Sequence, residues 1–298
     1  MINVTDAAFR KMFAECGGPD VFWTEFVSVE GLVSEKGRPA MLEMLRFDES
    51  EHPIVAQIFG SKPEQFEVVG SVIRELGFDG VDINMGCPDK DVVKQGAGAA
   101  LIKNPELAKK IIRALKKGAD PLPVSVKTRL GDTSTKEMHE WLKNLLEEDL
   151  AALTVHLRTR KEMSKVAAHW ELAPEIVKLK NKYAPHTVLL GNGDITSLEQ
   201  AHERAQESGM DGAMIGRGAF GNPWFFTPHT PDLKERLERM VKHTELYEQI
   251  FEGRKSFALM KKHFSAYVTG FEGAKVLRMN LMEATNAAEV KSIVATHF

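Results

Sequence analysis

Cys87 stands between Gly86 and Pro88 in the stretch DINMGCPDKDVVKQGAGAALIKNP, and only one other cysteine, Cys16, occurs in the chain. A loop thiol in that setting can serve as a nucleophile or, while protonated, as a proton donor. The bland alternative is a small buried hydrophobe. Lys127 in VSVKTRL and His156 in LTVHLRT add a cation and an imidazole, from stretches separated by a single helix-length segment. Two glycine-rich turns follow, GNGD (Gly191, Asn192, Gly193, Asp194) and GRGAFGNP (from Gly216, Arg217 and Gly218). Such turns expose backbone N–H groups to an anion, or simply let the chain bend tightly. Arg217 between two glycines tips that balance toward an anion site.

These side chains need a scaffold, and short runs rich in Val, Ile, Leu and Phe supply it: VFWTEFVS, PIVAQIFG, GVDINMG, PVSVKTRL, AALTVHLRT, TVLLGNGD and DGAMIGRG. Most run into a turn and then a segment of helical periodicity. In SKPEQFEVVGSVIREL the apolar Phe66, Val69, Ile73 and Leu76 share one helix face, with Ser61 and Glu64 spaced as a capping box. Asn104-Pro105, and Thr196 with Glu199, read as two further helix starts. Alternating strands and helices predict an α/β fold, a (β/α)8 TIM barrel with a doubly wound sheet as the alternative. The strand count is one short, and the missing first strand belongs before VTDAAFR. In such a barrel the C-terminal strand ends carry the chemistry. Those ends offer Glu25, Gln57, Asn84 with Cys87, Lys127 with Arg129, His156 with Arg158, Asn192 with Asp194, and Arg217.

After GNPWFFTPHTPD the strand signal stops at Pro228 and Pro231, and from about Leu233 the chain reads as helices. The expected division is a catalytic barrel over residues 1–230 and a helical domain over 231–298. With 43% hydrophobic and 27% charged residues, the composition is that of a globular protein. A net charge of -3 argues against a generally basic nucleic-acid coat but leaves room for local cationic clusters. Two distant cysteines form neither a disulfide framework nor a zinc spacing. No signal peptide and no apolar run of membrane-spanning length is visible, so a cytoplasmic protein without membrane or metal is expected.

Taken together, these blocks resemble the tRNA-dihydrouridine synthases. The most specific is DINMGCPDKDVVKQGAGAALIKNP, similar to the signature around that family's catalytic cysteine; VAQIFG, VSVKTRLG, LTVHLRTR, GNGDI and DGAMIGRGAFGNPW follow the family order. The resemblance implies an FMN enzyme that reduces the C5–C6 double bond of uridines in tRNA, with NADPH or NADH as electron donor. It implies that Gln57 meets the flavin's pyrimidine edge, that Lys127 faces its N1 and O2 side, and that His156 lines the pocket. Asn192, Gly193, Asp194, Gly216 and Arg217 would hold the ribityl chain and phosphate. Cys87 would be the general acid, with Asn84 and Arg129 near the target base. In the tail, MKKHFSAYVTGFEGAKVLR resembles the family's RNA-binding helices, and Arg254, Lys255, Lys261, Lys262 and His263 would face tRNA as a group. The enzyme is expected to act as a monomer. A barrel flavoenzyme acting on a free pyrimidine, or an inactive RNA-binding module, is the competing reading.

One departure bears on the fold. Members of the family begin with a strand ending in Ala-Pro-Met followed by Ala-Gly-Val-Thr-Asp, whereas here Met1 precedes INVTD. The expectation is a reading frame begun late, the full protein having about 10 to 15 more residues, enough for one strand and its approach.

Overall fold

The structure, a computed structural model, describes residues 1–296. Among the described residues seven strands, β1 (Phe22–Ser28), β2 (Ile54–Phe59), β3 (Gly80–Asn84), β4 (Val124–Arg129), β5 (Ala152–His156), β6 (Val188–Asn192) and β7 (Gly212–Ala213), form one sheet. Each strand neighbours the next in sequence, from β1 through to β7. Pairing from β2 to β7 is parallel throughout. A doubly wound sheet must reverse its strand order at a switch point; this one never does, so the α/β barrel reading holds. Among the described residues no strand precedes Phe22.

β3 is buried along its whole length, as a strand covered on both faces must be. The crossover helices Pro63–Glu75 and Pro105–Ala119 pack backbone against backbone through two glycines. A Cβ on Gly118 would sit 1.9 Å from the Glu67 carbonyl oxygen, and one on Gly70 2.6 Å from the Ala119 nitrogen. Asn104 caps its helix as expected, accepting from Leu107 N at 3.2 Å. Two other helix starts differ. Lys62, not Ser61, is the N-cap of Pro63–Glu75, because the Ser61 hydroxyl is drawn to the Gln95 carbonyl at 2.8 Å. Ser197, one residue beyond Thr196, caps Leu198–Ser208 by accepting from Gln200 N. On the helix Pro63–Glu75, Phe66, Val69 and Ile73 are buried, but Leu76 lies at its end and is exposed.

The chain divides into two compact units. One comprises Trp23–Arg46 and Pro53–Gly216; the other comprises Met1–Phe22, Phe47–His52 and Arg217–Phe298. The reason lies in the first helix, Ala7–Ala14, whose Ala7, Ala8 and Met12 share one apolar cluster with Leu237, Met240, Phe264, Leu277 and Val290 from the C-terminal helices. An eight-residue helix cannot bury its apolar side alone, and its partner is encoded at the far end of the chain. In the same unit Arg10 and Glu51 form a buried ion pair at 2.5 Å.

Candidate functional site

Side chains two apart on a strand share a face, and the parallel register extends that face from strand to strand. Gln57 pairs with Asp82, Asn84 with Lys127, Arg129 with His156, and His156 with Asn192. The six polar residues expected at the ends of β2 to β6 therefore share one face of the sheet. Lys127 reaches across β5, its Nζ donating to Asn192 Oδ1 at 3.1 Å, while Asn192 Nδ2 donates to the Met214 carbonyl at 2.8 Å.

Beneath them lies Asp82, fully buried, which the sequence reading did not select. Its carboxylate accepts from Gln57 Nε2 at 2.8 Å and from Ser125 Oγ at 2.7 Å. Burial raises its pKa to about 6 despite those hydrogen bonds and the charge of Lys127. The available signal was its place two residues before Asn84 in GVDINMG, on the same strand face.

Cys87 sits in the loop after β3, half-buried. Its N–H donates to Asn84 Oδ1 at 2.9 Å, beside that of Gly86 at 3.1 Å, and its carbonyl accepts from Ala99 N at 3.0 Å. It packs against the small cluster of Phe59, Val92 and Ala97. Burial pushes the thiol's pKa up, against the opposing pull of the Asp89 backbone N–H and of the Arg129 and Lys127 charges. Lys127 moves the other way, down to about 8, because burial and then Arg129 disfavour its cation. Arg129, expected near the target base, is buried and occupied with backbone. It donates to the carbonyls of Gly86 at 2.7 Å, Thr159 at 3.1 Å and Met163 at 3.0 Å, tying the Cys87 loop to the loop after β5.

The GNGD turn is held from three sides. Trp170 Nε1 donates to the Gly193 carbonyl at 2.9 Å, Ala168 N donates to Asp194 Oδ2 at 2.9 Å, and Arg158 pairs with the same carboxylate. Gly191 is required by packing, since a Cβ there would stand 2.5 Å from the Trp170 ring; Gly193 is required by its backbone, at φ 135°. Gly216 answers to neither demand. A Cβ there would meet nothing within 4 Å, so the backbone borders open space. Arg217, exposed, begins the short turn Arg217–Ala219 in the other unit.

In the helical unit the cations differ from one another. Arg254 donates to Glu252 and to the Ile250 carbonyl, both at 2.7 Å, and Lys255 lies 4.5 Å from the centre of the Phe251 ring. Lys261 donates to the Met282 carbonyl, whereas Lys262 is exposed. His263 is not a surface cation: it is buried among Phe9, Phe220 and His243. A cavity of ≈ 370 Å³ lined by Lys103, Asp132, Glu137 and Trp141 contains none of the expected site residues. Among the described residues no cluster of three or more His, Cys, Asp or Glu could hold a metal, and no helix is long and apolar enough to cross a membrane.

The family model described as "Dihydrouridine synthase (Dus)" matches residues 1–298. A protein of Staphylococcus aureus strain Mu50 named "Probable tRNA-dihydrouridine synthase" is 44% identical over 297 residues, covering 99% of this chain and 90% of that one. A Bacillus subtilis strain 168 protein named "Probable tRNA-dihydrouridine synthase 2" is 44% identical, covering 99% of this chain and 91% of its own. Among solved structures, a 2-naphthoyl-CoA reductase complex superposes with a TM-score of 0.56 at 12% identity, covering 76% of this chain and 46% of that one. A variant of NCR from Zymomonas mobilis gives a TM-score of 0.50 at 18% identity, covering 74% and 79%. At those identities the structural likeness is one of fold. The match of the family model along the whole chain and the 44% identity decide the rest: the chain belongs to the dihydrouridine synthase family.

Proposed function

We propose that this chain is an FMN-dependent tRNA-dihydrouridine synthase in which Cys87 is the general acid. The observation that carries the reading is the hydrogen-bonded connection from Gln57 through Asn84 to the Cys87 loop, on the strand face that also bears Lys127.

The residues fit a flavin phosphate and ring. Gly216 borders open space that a side chain would fill, and Gly193 and Asp194 form a turn with positive φ, a shape suited to backbone N–H contact with an anion. Asn192, Gly193, Asp194 and Gly216 would hold the ribityl chain and phosphate. Gln57 uses one N–H and one lone pair within the protein, leaving the complementary pair for the pyrimidine edge. His156 would line the same pocket. When bound there, FMN would supply the hydride for C6 of the target uracil, with NADPH or NADH as the source of electrons.

The protein's own part is protonic and electrostatic. Cys87 delivers a proton to C5, and because burial raises its pKa the thiol is protonated at neutral pH without further activation. Lys127, with a pKa near 8, is mostly cationic at neutral pH and favours negative charge on its side of the pocket. The uridine must leave its stack to reach this site, at a cost of a few kcal/mol. Phosphate contacts to helical-unit cations such as Lys262 offset it.

The test is to load the purified protein with FMN and offer NADPH with tRNA lacking dihydrouridine, or with free uracil. Dihydrouridine in tRNA, measured by mass spectrometry and lost in Cys87→Ala, is the expected result. Turnover of free uracil alone, no flavin binding, or full activity in Cys87→Ala would overturn the reading.

A further inference from the structure

Asp82 has no part in the reaction described above, yet it is a fully buried carboxylate directly under the site. It terminates a chain of hydrogen bonds with a single direction. Asn84 Oδ1 accepts from the backbone N–H groups of Gly86 and Cys87, Asn84 Nδ2 donates to Gln57 Oε1 at 3.2 Å, and Gln57 Nε2 donates to Asp82. That direction is fixed from both ends. Backbone N–H groups only donate, so Asn84 must turn its oxygen to the loop and its NH2 to Gln57. An ionised carboxylate only accepts, so Gln57 must turn its NH2 to Asp82. Flipping either amide sets donor against donor where little water can relieve it, since Gln57 and Asn84 are both buried.

We propose that Asp82 is a positioning residue: its accepting oxygen fixes the orientation of the Gln57 and Asn84 amides and, through Asn84, the conformation of the loop that carries Cys87. Ser125 Oγ holds the other carboxylate oxygen and so sets the plane of the group. The effect on the Cys87 loop stands on this geometry alone. Its consequence for FMN rests on the function proposed above, because the remaining N–H and lone pair of Gln57 are what the cofactor would meet.

The test reverses the polarity of one link. Asp82→Asn can still offer its oxygen to Gln57 while its NH2 faces Ser125, whose hydroxyl accepts as readily as it donates. Gln57→Glu sets carboxylate against carboxylate. The double variant Asp82→Asn/Gln57→Glu restores a donor facing an acceptor, in the opposite sense, and leaves Asn84 oriented as before. Two quantities are read: the rate of Cys87 alkylation by iodoacetamide in flavin-free protein, followed by peptide mass at one fixed pH, and FMN affinity by fluorescence quenching.

Asp82→Asn is expected to alkylate within about twofold of wild type, Gln57→Glu to differ by about tenfold, and the double variant to return to within about twofold. FMN affinity is expected to fall about tenfold in both proteins carrying Gln57→Glu, since the donor to the cofactor is lost. A double variant that stays at the Gln57→Glu rate, or a Gln57→Glu protein that alkylates like wild type, overturns the proposal. If Gln57→Glu alone does not fold, recovery of a folded double variant is the supporting result and its failure the overturning one. Rescue of alkylation with FMN affinity equal in every variant supports the positioning role and removes the cofactor reading instead.

Discussion

Arg158 donates Nη1–H to Nε2 of His156 at 3.1 Å, and because a guanidinium can only donate, that imidazole nitrogen carries no proton. The ring is therefore held as the Nδ1–H tautomer, with Asp194 anchoring the same arginine from the GNGD turn. Arg158→Met is expected to release both, costing about 2 kcal/mol of stability and at least about tenfold in FMN affinity. Nitrogen-15 spectra of His156 check the cause: Nε2 should give an unprotonated signal in the wild type and a tautomer average in the variant. A protonated Nε2 in the wild type would defeat the argument.

Cys87→Ala should leave FMN bound, because backbone groups that the substitution keeps anchor the Cys87 loop: Asn84 Oδ1 accepts from the Cys87 N–H, and Ala99 N donates to its carbonyl. Uridine reduction should fall by about 10² to 10⁴, the usual contribution of a positioned acid. The pH profile follows from the raised thiol pKa. The proton is available below that pKa and lost above it, so the loss of activity due to Cys87 should fall on the alkaline side of an ordinary thiol's value, about 8.5, and a Lys127→Met background isolates it. A decline already complete at neutral pH would count against Cys87.

Much of this site was legible in the sequence because the strands are short Val-, Ile- and Leu-rich runs whose ends are marked by a polar residue and a turn. Gln57, Asn84, Lys127, His156 and Asn192 could be placed on one rim for that reason. What escaped was whatever depends on partners distant in the chain. Asp82 reads as one more strand residue until Gln57 and Ser125 close on it. Arg129 looks like a cation for substrate until three backbone carbonyls surround it. His263, beside Lys261 and Lys262, looked equally basic, and only the packing of Phe9 and Phe220 reveals it as core.

Lys127 links pH to the cofactor. Its pKa is pushed down to about 8 by burial first and Arg129 second, so the cation is present below that pH and lost above it. If it faces the flavin's N1 side, the midpoint potential of bound FMN should drop toward that of Lys127→Met as pH rises through about 8, beyond the change seen in free FMN. Potentiometric titration of the two proteins from pH 6 to 10 reads this directly. Parallel curves would exclude a charge effect from Lys127.

Two adjacent lysines should differ in what their removal costs. Lys261 is committed to the Met282 carbonyl, so Lys261→Ala is expected to lower Tm by several degrees through a lost helix-to-helix tie, at roughly 1 kcal/mol. Lys262 is exposed, so Lys262→Ala is expected to weaken tRNA binding and reduce the salt slope of affinity by about 1. Melting curves for Lys261→Ala and filter binding at several salt concentrations for Lys262→Ala check the two; an unchanged salt slope in Lys262→Ala would refute this reading of the helical unit.

Acid should act on the two units in opposite senses. In the helical unit burial holds His263 down to about 3 and His243 well below the ordinary imidazole value, with the His243 Nε2 buried and unpartnered among the described residues. The unfolded chain therefore binds more protons than the folded one below about pH 6.5, and stability falls by up to about 1.4 kcal/mol per pH unit for each ring. In the barrel unit Asp82 has the contrary sign: its folded pKa of about 6 exceeds the unfolded value, so stability is gained as pH falls through about 6 and lost as it rises. Glu51, raised by burial against Arg10, partly opposes the histidines within their own unit, so a variant is needed to isolate them. Hydrogen exchange at pH 7 and pH 5, corrected for intrinsic rates, should show the helices Leu233–Phe251 and Lys261–Tyr267 opening faster in acid while β3 does not. His263→Phe should remove about half of the logarithm of that acceleration, because one of two buried imidazoles no longer gains a proton on opening and the two contributions multiply. Equal acceleration in the variant and the wild type would mean that another group controls the acid response.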